Sequence, residues 1–214
     1  DKINDLMTIN DYHLSSSHVG SFSGVLAIKN RGCHIAPVHI LHPDGSYNKF
    51  LLDKYLNDDY LLIRGVNRIQ GLYVKEGNPK QITSLQDIRR PEVTFVNRQR
   101  GSGTRMLLDY LLEKENINPD EINGYEYELS THTLVASGVK DDRFDVGLGI
   151  MSVAKMKQLE FSPLGHEHYD FIVLKEIVDT PVFTEFVRVL QSTEFQKQLE
   201  ELGGYTIDKI GEIV

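Results

Sequence analysis

Short apolar runs alternate with amphipathic helical patterns along the chain, and this alternation limits the fold more than any other feature. Runs such as CHIAPVHIL, VTFVN and RFDVGLGI have the length and the β-branched content of buried strands. Segments such as TRMLLDYLLEKENI lie between them and carry apolar residues at helical spacing. Because helices that alternate with strands pack on the faces of parallel sheets, the sequence predicts an α/β protein with mixed, mostly parallel sheets flanked by helices.

Other segments extend this pattern. KINDLMTINDYHL and FSGVLAIKN are predicted as helices, and Ser21 is predicted to cap the second. DYLLIRGVNRIQGLYV contains two strand candidates. The tail TPVFTEFVRVLQSTEFQKQLEELGG predicts two helices that end at a Gly-Gly pair.

Length and charge restrict the possible partners. With 214 residues, the chain suits one large domain or two small ones. Its formal net charge is -8, since 31 Asp and Glu outnumber 23 Lys and Arg. This balance argues against nucleic acid as a partner, because phosphate binding needs a basic face. It leaves room for a local cationic pocket, because nearby groups set the field at a site.

The single cysteine and the absence of long apolar runs restrict the compartment. Cys33 leaves no disulfide framework and no cysteine-based zinc pattern, and its apolar setting favours a buried structural thiol over a nucleophile. No apolar run reaches the ~18 residues of a membrane-spanning helix, and no signal peptide is visible. We therefore expect a cytoplasmic domain without a membrane partner, or a periplasmic or extracellular domain if the protein is exported.

Three loops stand where an open α/β sheet binds its ligands. They are HVGS, NRQRGSGT and LSTHT, and each precedes a predicted helix with a hydroxyl residue near its N-cap. In such sheets, ligands bind beyond the carboxyl ends of strands, where loops lead into helix N-termini. A helix N-terminus presents N–H groups without intrahelical partners and a partial positive charge, so it attracts anions.

The loop NRQRGSGTR has the chemistry of an anion site. It contains two glycines, two hydroxyl residues and three arginines, which are Gly101, Gly103, Ser102, Thr104, Arg98, Arg100 and Arg105. The glycines let the backbone approach a ligand, the hydroxyls donate, and the arginines add charge-assisted hydrogen bonds. The alternative is that one hydroxyl only caps its helix and that the arginines are solvated. The arginines and the two similar loops favour the anion site.

Two nucleotide-binding motifs are excluded at this loop. The P-loop spacing G-x-x-x-x-G-K-[ST] is absent, because no lysine follows the second glycine. A dinucleotide-binding G-x-G-x-x-G is absent as well, because Met106 stands at the third glycine position.

The histidines leave more than one role open. His39 ends a predicted strand, so it either faces a ligand or is a hydrogen-bonded structural histidine. His132 lies at a helix start, where it is a candidate donor to an anion, and the alternative is an exposed surface residue. His166 and His168 would share one face of a strand, but the spacing fixes no third ligand, so no metal site is predicted.

No catalytic residue is predicted. The nucleophile motif G-x-S-x-G is absent, because Phe22 stands at the serine position of GSFSG. Asp145 and Asp170 lie in predicted strands as ordinary edge or hinge residues, and no carboxylate pair stands out. We therefore interpret the chain as a non-catalytic domain without a cofactor.

Several strings together resemble a known family. FVNRQRGSGTRMLLDYLL, SHVGSFSGVLAI, HILHPDGSYN, YVKEGNP, ASGVKDDRFDVGLGI and LEELGGY are similar to strings of the molybdate-binding-protein-like domains. These domains have type II periplasmic-binding-protein folds. They occur behind helix-turn-helix regulators, and fused to the carboxyl end of molybdopterin molybdenumtransferases. The resemblance covers nearly the whole chain, and NRQRGSGTR is a specific motif.

The resemblance implies two α/β lobes joined by crossover strands, with a ligand in the cleft. Lobe 1 would hold residues 1–80 and 170–214, and lobe 2 would hold residues 81–169. In the related transport receptors, serine hydroxyls and backbone amides hold molybdate or tungstate. The resemblance and the loop chemistry together predict these ligand-binding residues: Gly20, Ser21, His39, Arg98, Arg100, Ser102, Gly103, Thr104, Arg105, Thr131 and His132.

The sequence departs from the family pattern at two points. Family members begin with a strand that ends in Ser-His-Asp and whose serine is a ligand. Here the chain begins at that aspartate, Asp1, so we expect lobe 1 to lack its first strand. The simple receptors also bind mainly through neutral donors, whereas three arginines suggest a larger or more highly charged anion, or a phosphate-bearing molecule such as a pterin.

The predicted function is a binding module that closes on molybdate or tungstate, within a molybdenum-cofactor biosynthesis or metal-sensing protein. The alternative is a regulatory domain that senses a small organic or phosphorylated anion, such as a pterin precursor. A third interpretation is metal delivery to the molybdenumtransferase reaction, with the chemistry on an upstream domain. The predicted covalent partner is accordingly a fused upstream transferase or helix-turn-helix domain.

Overall fold

The computed structural model describes residues 2–17 and 19–214, which divide into two compact units. Unit 1 contains residues 1–67 and 168–214, and unit 2 contains residues 68–167. The lobes expected from the resemblance divide at residues 80 and 169. Two sequence expectations fall on residues outside the described part of the chain. They are the missing first strand, which was inferred from Asp1, and the position of His18 in the predicted HVGS loop.

Helices and strands alternate along the described residues. The helices are α1 (Lys2–Thr8), α2 (Ser21–Lys29), α3 (Phe50–Tyr55), α4 (Gly103–Lys114), α5 (His132–Lys140), α6 (Met151–Lys157), α7 (Pro181–Leu190) and α8 (Thr193–Leu202). The strands are β1 (Ile35–Val38), β2 (Tyr60–Val74), β3 (Phe95–Arg98), β4 (Glu128–Leu129), β5 (Val146–Ile150), β6 (Glu160–Leu174) and β7 (Tyr205–Thr206). Short 3-10 helices cover Asp87–Arg89, Pro119–Glu121 and Lys175–Ile177. The predicted α/β class is confirmed.

The segment predicted as two strands is one continuous strand, β2. Residues 60–67 of β2 belong to unit 1, and residues 68–74 belong to unit 2. The other long strand, β6, is divided in the same way: residues 168–174 belong to unit 1, and residues 160–167 belong to unit 2. Gly65 lies inside β2, where an isolated glycine indicates a bulge or a close approach of another backbone. A Cβ at Gly65 would stand 1.9 Å from Tyr169 O, so the glycine serves close approach to β6 and not a turn.

Unit 1 has its core between helices and the antiparallel pair of β1 and β6. These strands pair from Ile35 opposite Val173 to Val38 opposite Asp170. Helix α7 begins at an N-cap threonine followed by Pro181, as expected for a helix start. The apolar side of α7 and α8 joins the core with Phe183, Phe186, Val189, Leu190, Phe195 and Leu199.

Unit 2 contains the predicted parallel pairing. β3 is parallel to both β5 and β4, with Phe95 opposite Val146 and Asn97 opposite Glu128. β2 instead runs antiparallel to β5 over residues 70–74. The parallel arrangement therefore holds for β5, β3 and β4, and it places the carboxyl ends of β3 and β4 at the same edge of the sheet.

Glu185 on α7 makes the stability of unit 1 depend on pH. Hydrogen bonds from Arg188 (2.7 and 2.6 Å) and from Asn10 (2.9 Å) lower the pKa of the Glu185 carboxyl to about 2. Because the folded-state pKa lies below the unfolded value, this stabilisation is present above the unfolded pKa and is lost as the pH falls through the folded one. We expect the free energy of unfolding to fall less between about pH 4.5 and about 2 in Glu185→Gln than in the wild type. Urea unfolding at several pH values measures this, and equal slopes for the two proteins would contradict it.

Candidate functional site

The loops that lead into α4 and α5 lie side by side in unit 2. Arg98, the last residue of β3, is opposite Leu129, the last residue of β4. Gln99 N donates to Leu129 O at 3.3 Å, and Arg98 Nη2 donates to Ser130 O at 3.1 Å. The parallel strand pair thus brings the predicted ligand residues of two different loops to one edge of the sheet.

Ser102 and Thr131 are the N-caps of α4 and α5. Ser102 Oγ accepts from Arg105 N at 3.2 Å, and Thr131 Oγ1 accepts from Leu134 N at 3.1 Å. Neither hydroxyl donates to an acceptor within residues 2–17 and 19–214. Since a hydroxyl has one proton to donate and two lone pairs, each oxygen is fixed by its helix while its proton is available to a bound acceptor.

The N-caps of α7 and α8 use their hydroxyls differently. Thr180 Oγ1 accepts from Phe183 N at 3.3 Å and donates to Ile177 O at 2.5 Å. Ser192 Oγ accepts from Phe195 N at 3.2 Å and donates to Val189 O at 2.7 Å. These two caps use both the lone pair and the proton inside the protein. The caps of α4 and α5 therefore differ from structural caps of the same chain by one unused donor each.

The backbone at the start of α4 adds further donors. Gly101 has a φ of +82°, a conformation that favours glycine, and it turns the chain into the helix. Gly103 is the buried first residue of this helix of 12 residues. The first N–H groups of a helix have no intrahelical partner, and the helix dipole adds partial positive charge there. The predicted role of the two glycines, a close approach of the backbone to a ligand, stays a prediction.

The Thr104 side chain points into unit 2. Thr104 is 1% exposed, and its hydroxyl lies 3.2 Å from Gln70 Nε2 and 3.4 Å from Gln70 Oε1. Gln70 is buried in β2, so this pair fixes the first turn of α4 to the sheet. Thr104 was predicted as a hydroxyl donor to the ligand, but in this geometry only its backbone N–H is left for that role. Gln70 was missed, because a glutamine within a strand pattern carries no motif.

Two of the three predicted arginines are neutralised by carboxylates. Arg100 is 72% exposed, and its guanidinium lies 2.8 Å from Glu126 Oε2 and 3.6 Å from Glu128 Oε1. Arg105 is almost fully buried, with its guanidinium 3.1 Å from Asp109 Oδ1 and 3.3 Å from Glu128 Oε1. Both side chains tie the loop to acidic residues, and their charges are balanced without a ligand.

Arg98 has a different environment. Its Nε donates to Gln99 Oε1 at 3.1 Å, and its Nη2 donates to the carbonyl oxygen of Ser130. No carboxylate of the described residues lies within 4.0 Å of this guanidinium. Burial lowers the pKa of Arg98, and the positive charge of Arg68 acts in the same direction, while Tyr73 and Glu167 act against it. Arg98 is thus held by neutral oxygens, next to the N-cap of α5.

The predicted ligand residues of unit 1 also come together. Gly20 is the N-cap of α2 with a φ of +79°, and Ser21 is the first residue of the helix, so Ser21 is not the cap that the sequence predicted. Ser21 Oγ accepts from His39 N at 3.2 Å. The His39 ring stacks on Tyr169, with ring centroids 5.5 Å apart. Both residues therefore belong to one cluster at the end of β1.

The remaining histidines and acids have structural surroundings. His166 and His168 lie in β6, and His168 Nδ1 is 2.8 Å from Arg64 Nη1. Asp145 accepts from Thr94 N at 2.7 Å. Among the described residues, no group of three or more His, Cys, Asp and Glu side chains could hold a metal ion. Burial raises the pKa of the half-buried Cys33 thiol.

Along the described stretches, no helix combines the length and the apolar character that spanning a bilayer requires.

Two known proteins are similar in sequence to this chain. The uncharacterized protein YvgK of Bacillus subtilis (strain 168) is 32% identical over 197 residues, which cover 91% of this chain and 63% of that protein. An uncharacterized protein in the 5′ region of a ferredoxin 2Fe-2S gene of Clostridium pasteurianum is 34% identical over 110 residues, which cover 51% of this chain and 97% of that protein. The chain thus spans less than two thirds of the length of the B. subtilis protein.

Solved structures show the same fold at low sequence identity. A Clostridium perfringens protein, assigned as a phosphate ABC transporter substrate-binding protein and solved with bound phosphate, has a TM-score of 0.69 at 12% identity, covering 97% of this chain and 96% of that chain. The substrate-binding domain of a protein assigned as a molybdenum ABC transporter from Clostridium difficile has a TM-score of 0.61 at 16% identity, covering 95% of this chain and 91% of that chain. The effector-binding domain of QuiR in complex with shikimate has a TM-score of 0.62 at 17% identity, covering 92% of this chain and 87% of that chain.

A family model gives the assignment. The model of the PBP superfamily domain matches residues 4–191, which include all of the predicted ligand residues. The type II periplasmic-binding-protein-like fold expected from the resemblance is confirmed by this match and by the solved structures. The chain belongs to the PBP superfamily of periplasmic-binding-protein-like domains.

Proposed function

We propose that this chain binds a tetrahedral, fully ionised oxyanion, with molybdate and tungstate as its preferred ligands. As a member of the PBP superfamily it is a ligand-binding domain, and the chemistry of the ligand follows from the site in unit 2. One observation carries the proposal: the hydroxyl protons of Ser102 and Thr131 are unused, whereas those of comparable N-caps are donated within the protein.

The described residues of the site offer more donors than acceptors. Two hydroxyls, the first amides of α4 and the Arg98 guanidinium can all donate, and hydrogen bonds to an ionised acceptor are stronger than neutral ones. The nearby carboxylates of Glu126 and Glu128 are engaged by arginines. Molybdate, tungstate and sulfate are pure acceptors, whereas phosphate near neutral pH carries a hydroxyl that needs an acceptor. The donor set therefore supports an oxyanion without protons.

Two of the structural relatives support this ligand class. The C. perfringens protein holds phosphate, a tetrahedral oxyanion, and the C. difficile domain is assigned to a molybdenum transporter. The C. difficile domain, together with the resemblance to molybdate-binding-protein-like domains, favours the larger oxyanions over sulfate. We place the module in a molybdenum-cofactor or metal-sensing protein, as a non-catalytic domain that acts together with a fused transferase or helix-turn-helix domain.

A second candidate function is the sensing of a small organic or phosphorylated anion. The observation that favours it is Arg98, because a planar guanidinium matches a carboxylate or a phosphate group with two parallel hydrogen bonds. The shikimate complex of the QuiR effector domain shows that this fold accommodates an organic carboxylate.

Isothermal titration of the protein with molybdate, tungstate, sulfate and phosphate tests the proposal. We expect saturable heats with molybdate and tungstate, and at least tenfold weaker binding of sulfate and phosphate. Equal affinity for sulfate would contradict selection for the larger anions. No binding heat with any of the four anions, together with saturable heats for shikimate or a phosphorylated carboxylate, would support the second candidate instead.

A further inference from the structure

Of the three arginines in the unit 2 site, Arg98 differs from the other two. No carboxylate of the described residues lies within 4.0 Å of its guanidinium. The same loop supplies an internal comparison, because Arg100 and Arg105 each lie within 4.0 Å of two carboxylate groups. Among the described residues, Arg98 donates its hydrogen bonds to the oxygens of Gln99 and Ser130, which carry no net charge, and the nearest carboxylate that acts on it, Glu167, lies beyond 4.0 Å and forms an ion pair with Arg68. A bound anion at the adjacent helix starts would supply the counter-charge that this guanidinium lacks.

The charged groups that act on Arg98 are Arg68 and Glu167. Arg68 and Glu167 form an ion pair in unit 2, with side chains 13% and 0% exposed. Tyr73, which also lies near, donates its hydroxyl proton to Ile150 O at 2.8 Å. Two guanidinium groups and one carboxylate leave one positive charge in partly buried surroundings, where Coulomb interactions are much stronger than in bulk water.

We infer that Arg98 makes this site selective for ligand charge, so that it prefers an oxyanion with two negative charges over one of the same shape with a single charge. The inference rests on the proposed function and adds the property by which the ligand is chosen. Hydroxyl donors and the partial charge of a helix N-terminus respond to the net charge of a ligand less than a full positive charge does. A fixed guanidinium that shares its one nearby carboxylate with Arg68 responds directly to that net charge.

Molybdate and perrhenate separate charge from shape. Both are tetrahedral oxyanions of closely similar size, and molybdate carries two negative charges while perrhenate carries one. Isothermal titration of the full chain with each anion gives their affinity ratio. We expect the wild type to prefer molybdate by roughly 10- to 100-fold, the range of one hydrogen bond between charged groups.

Two variants of Arg98 and one control variant test whether Arg98 causes the preference for molybdate over perrhenate. In Arg98→Gln, molybdate should weaken much more than perrhenate, so that the ratio falls to within about threefold of unity. Arg100→Gln is the matched control in the same loop, and it should retain the wild-type ratio because its charge is already balanced by Glu126 and Glu128. Arg98→Lys keeps the charge without the planar guanidinium, so it should bind both anions more weakly and still prefer molybdate.

The results separate this inference from the proposed function. A wild type that binds neither anion overturns the proposed function, and the inference with it. A wild type that binds molybdate and perrhenate equally, or an Arg98→Gln variant that weakens both by the same factor, overturns the inference alone. If Arg98→Gln does not fold, Arg98→Lys decides: a folded lysine variant without preference for molybdate shows that the guanidinium shape, and not its charge, sets the selectivity.

Discussion

Ser102→Ala is expected to weaken oxyanion binding by roughly 10- to 100-fold, since it removes one hydrogen bond to a charged acceptor. The Ser102 hydroxyl is held in place by Arg105 N at 3.2 Å, so its proton direction is restricted before the ligand arrives. Thr131→Ala should have an effect of similar size, because Thr131 is the N-cap of α5 and its hydroxyl is held by Leu134 N in the same way. The double variant should have no measurable affinity for molybdate. Isothermal titration of the three variants measures these losses.

A second serine cap separates the loss of binding from the loss of a cap. Ser192→Ala removes the N-cap of α8, which accepts from Phe195 N at the same 3.2 Å. Both alanine variants should lose about 1 kcal/mol of stability and melt roughly 2–4 °C lower. Only Ser102→Ala should lose affinity. If Ser192→Ala weakens binding as much, or if Ser102→Ala binds as tightly as the wild type, Ser102 does not contact the ligand.

The parts of the site that the sequence predicted are those set by local chemistry. Ser102 and Thr131 were expected near helix starts because hydroxyl residues before an apolar helical pattern act as N-caps, and both are N-caps. Their proximity followed from topology, since parallel strands deliver their carboxyl ends to one edge of a sheet. Both arguments need only short-range patterns and the order of elements.

The parts that the sequence did not predict depend on residues distant along the chain. Arg100 and Arg105 were grouped with Arg98 as ligand residues, because nothing near them in sequence shows that Glu126 and Glu128 approach the loop. The same holds for the buried contact that turns Thr104 inward. A motif predicts the residue types of a site, whereas the partners that use up their donors are set by tertiary packing.

Asp170 gives the second large expected effect, in unit 1. The sequence suggested an ordinary edge or hinge residue, but Asp170 is 1% exposed and is surrounded by donors. Asn48 Nδ2 donates to it at 2.9 Å, Gly65 N at 3.1 Å and Arg64 Nη1 at 3.5 Å. Asn48 is itself buried with a φ of +61°, and its side-chain oxygen accepts from Ile40 N at 2.7 Å. The carboxylate therefore holds the loop between β1 and α3 against β2.

Asp170→Ala should lower the free energy of unfolding by about 3–5 kcal/mol, the usual effect of removing one partner of a buried ion pair. It leaves Gly65 N and one of the two Asn48 Nδ2 protons without an acceptor, while Asn48 Nδ2 keeps its bond to His168 O at 3.0 Å, and it removes the counter-charge of Arg64. Asp58→Ala is the control, because this exposed aspartate should change stability by less than about 0.5 kcal/mol. Urea unfolding measures both variants.

Asp170→Asn keeps one acceptor oxygen, so its stability should lie between those of the wild type and the alanine variant. If Asp170→Ala is as stable as Asp58→Ala, the loop is held by other contacts, and the cluster of Ser21 and His39 does not depend on this carboxylate.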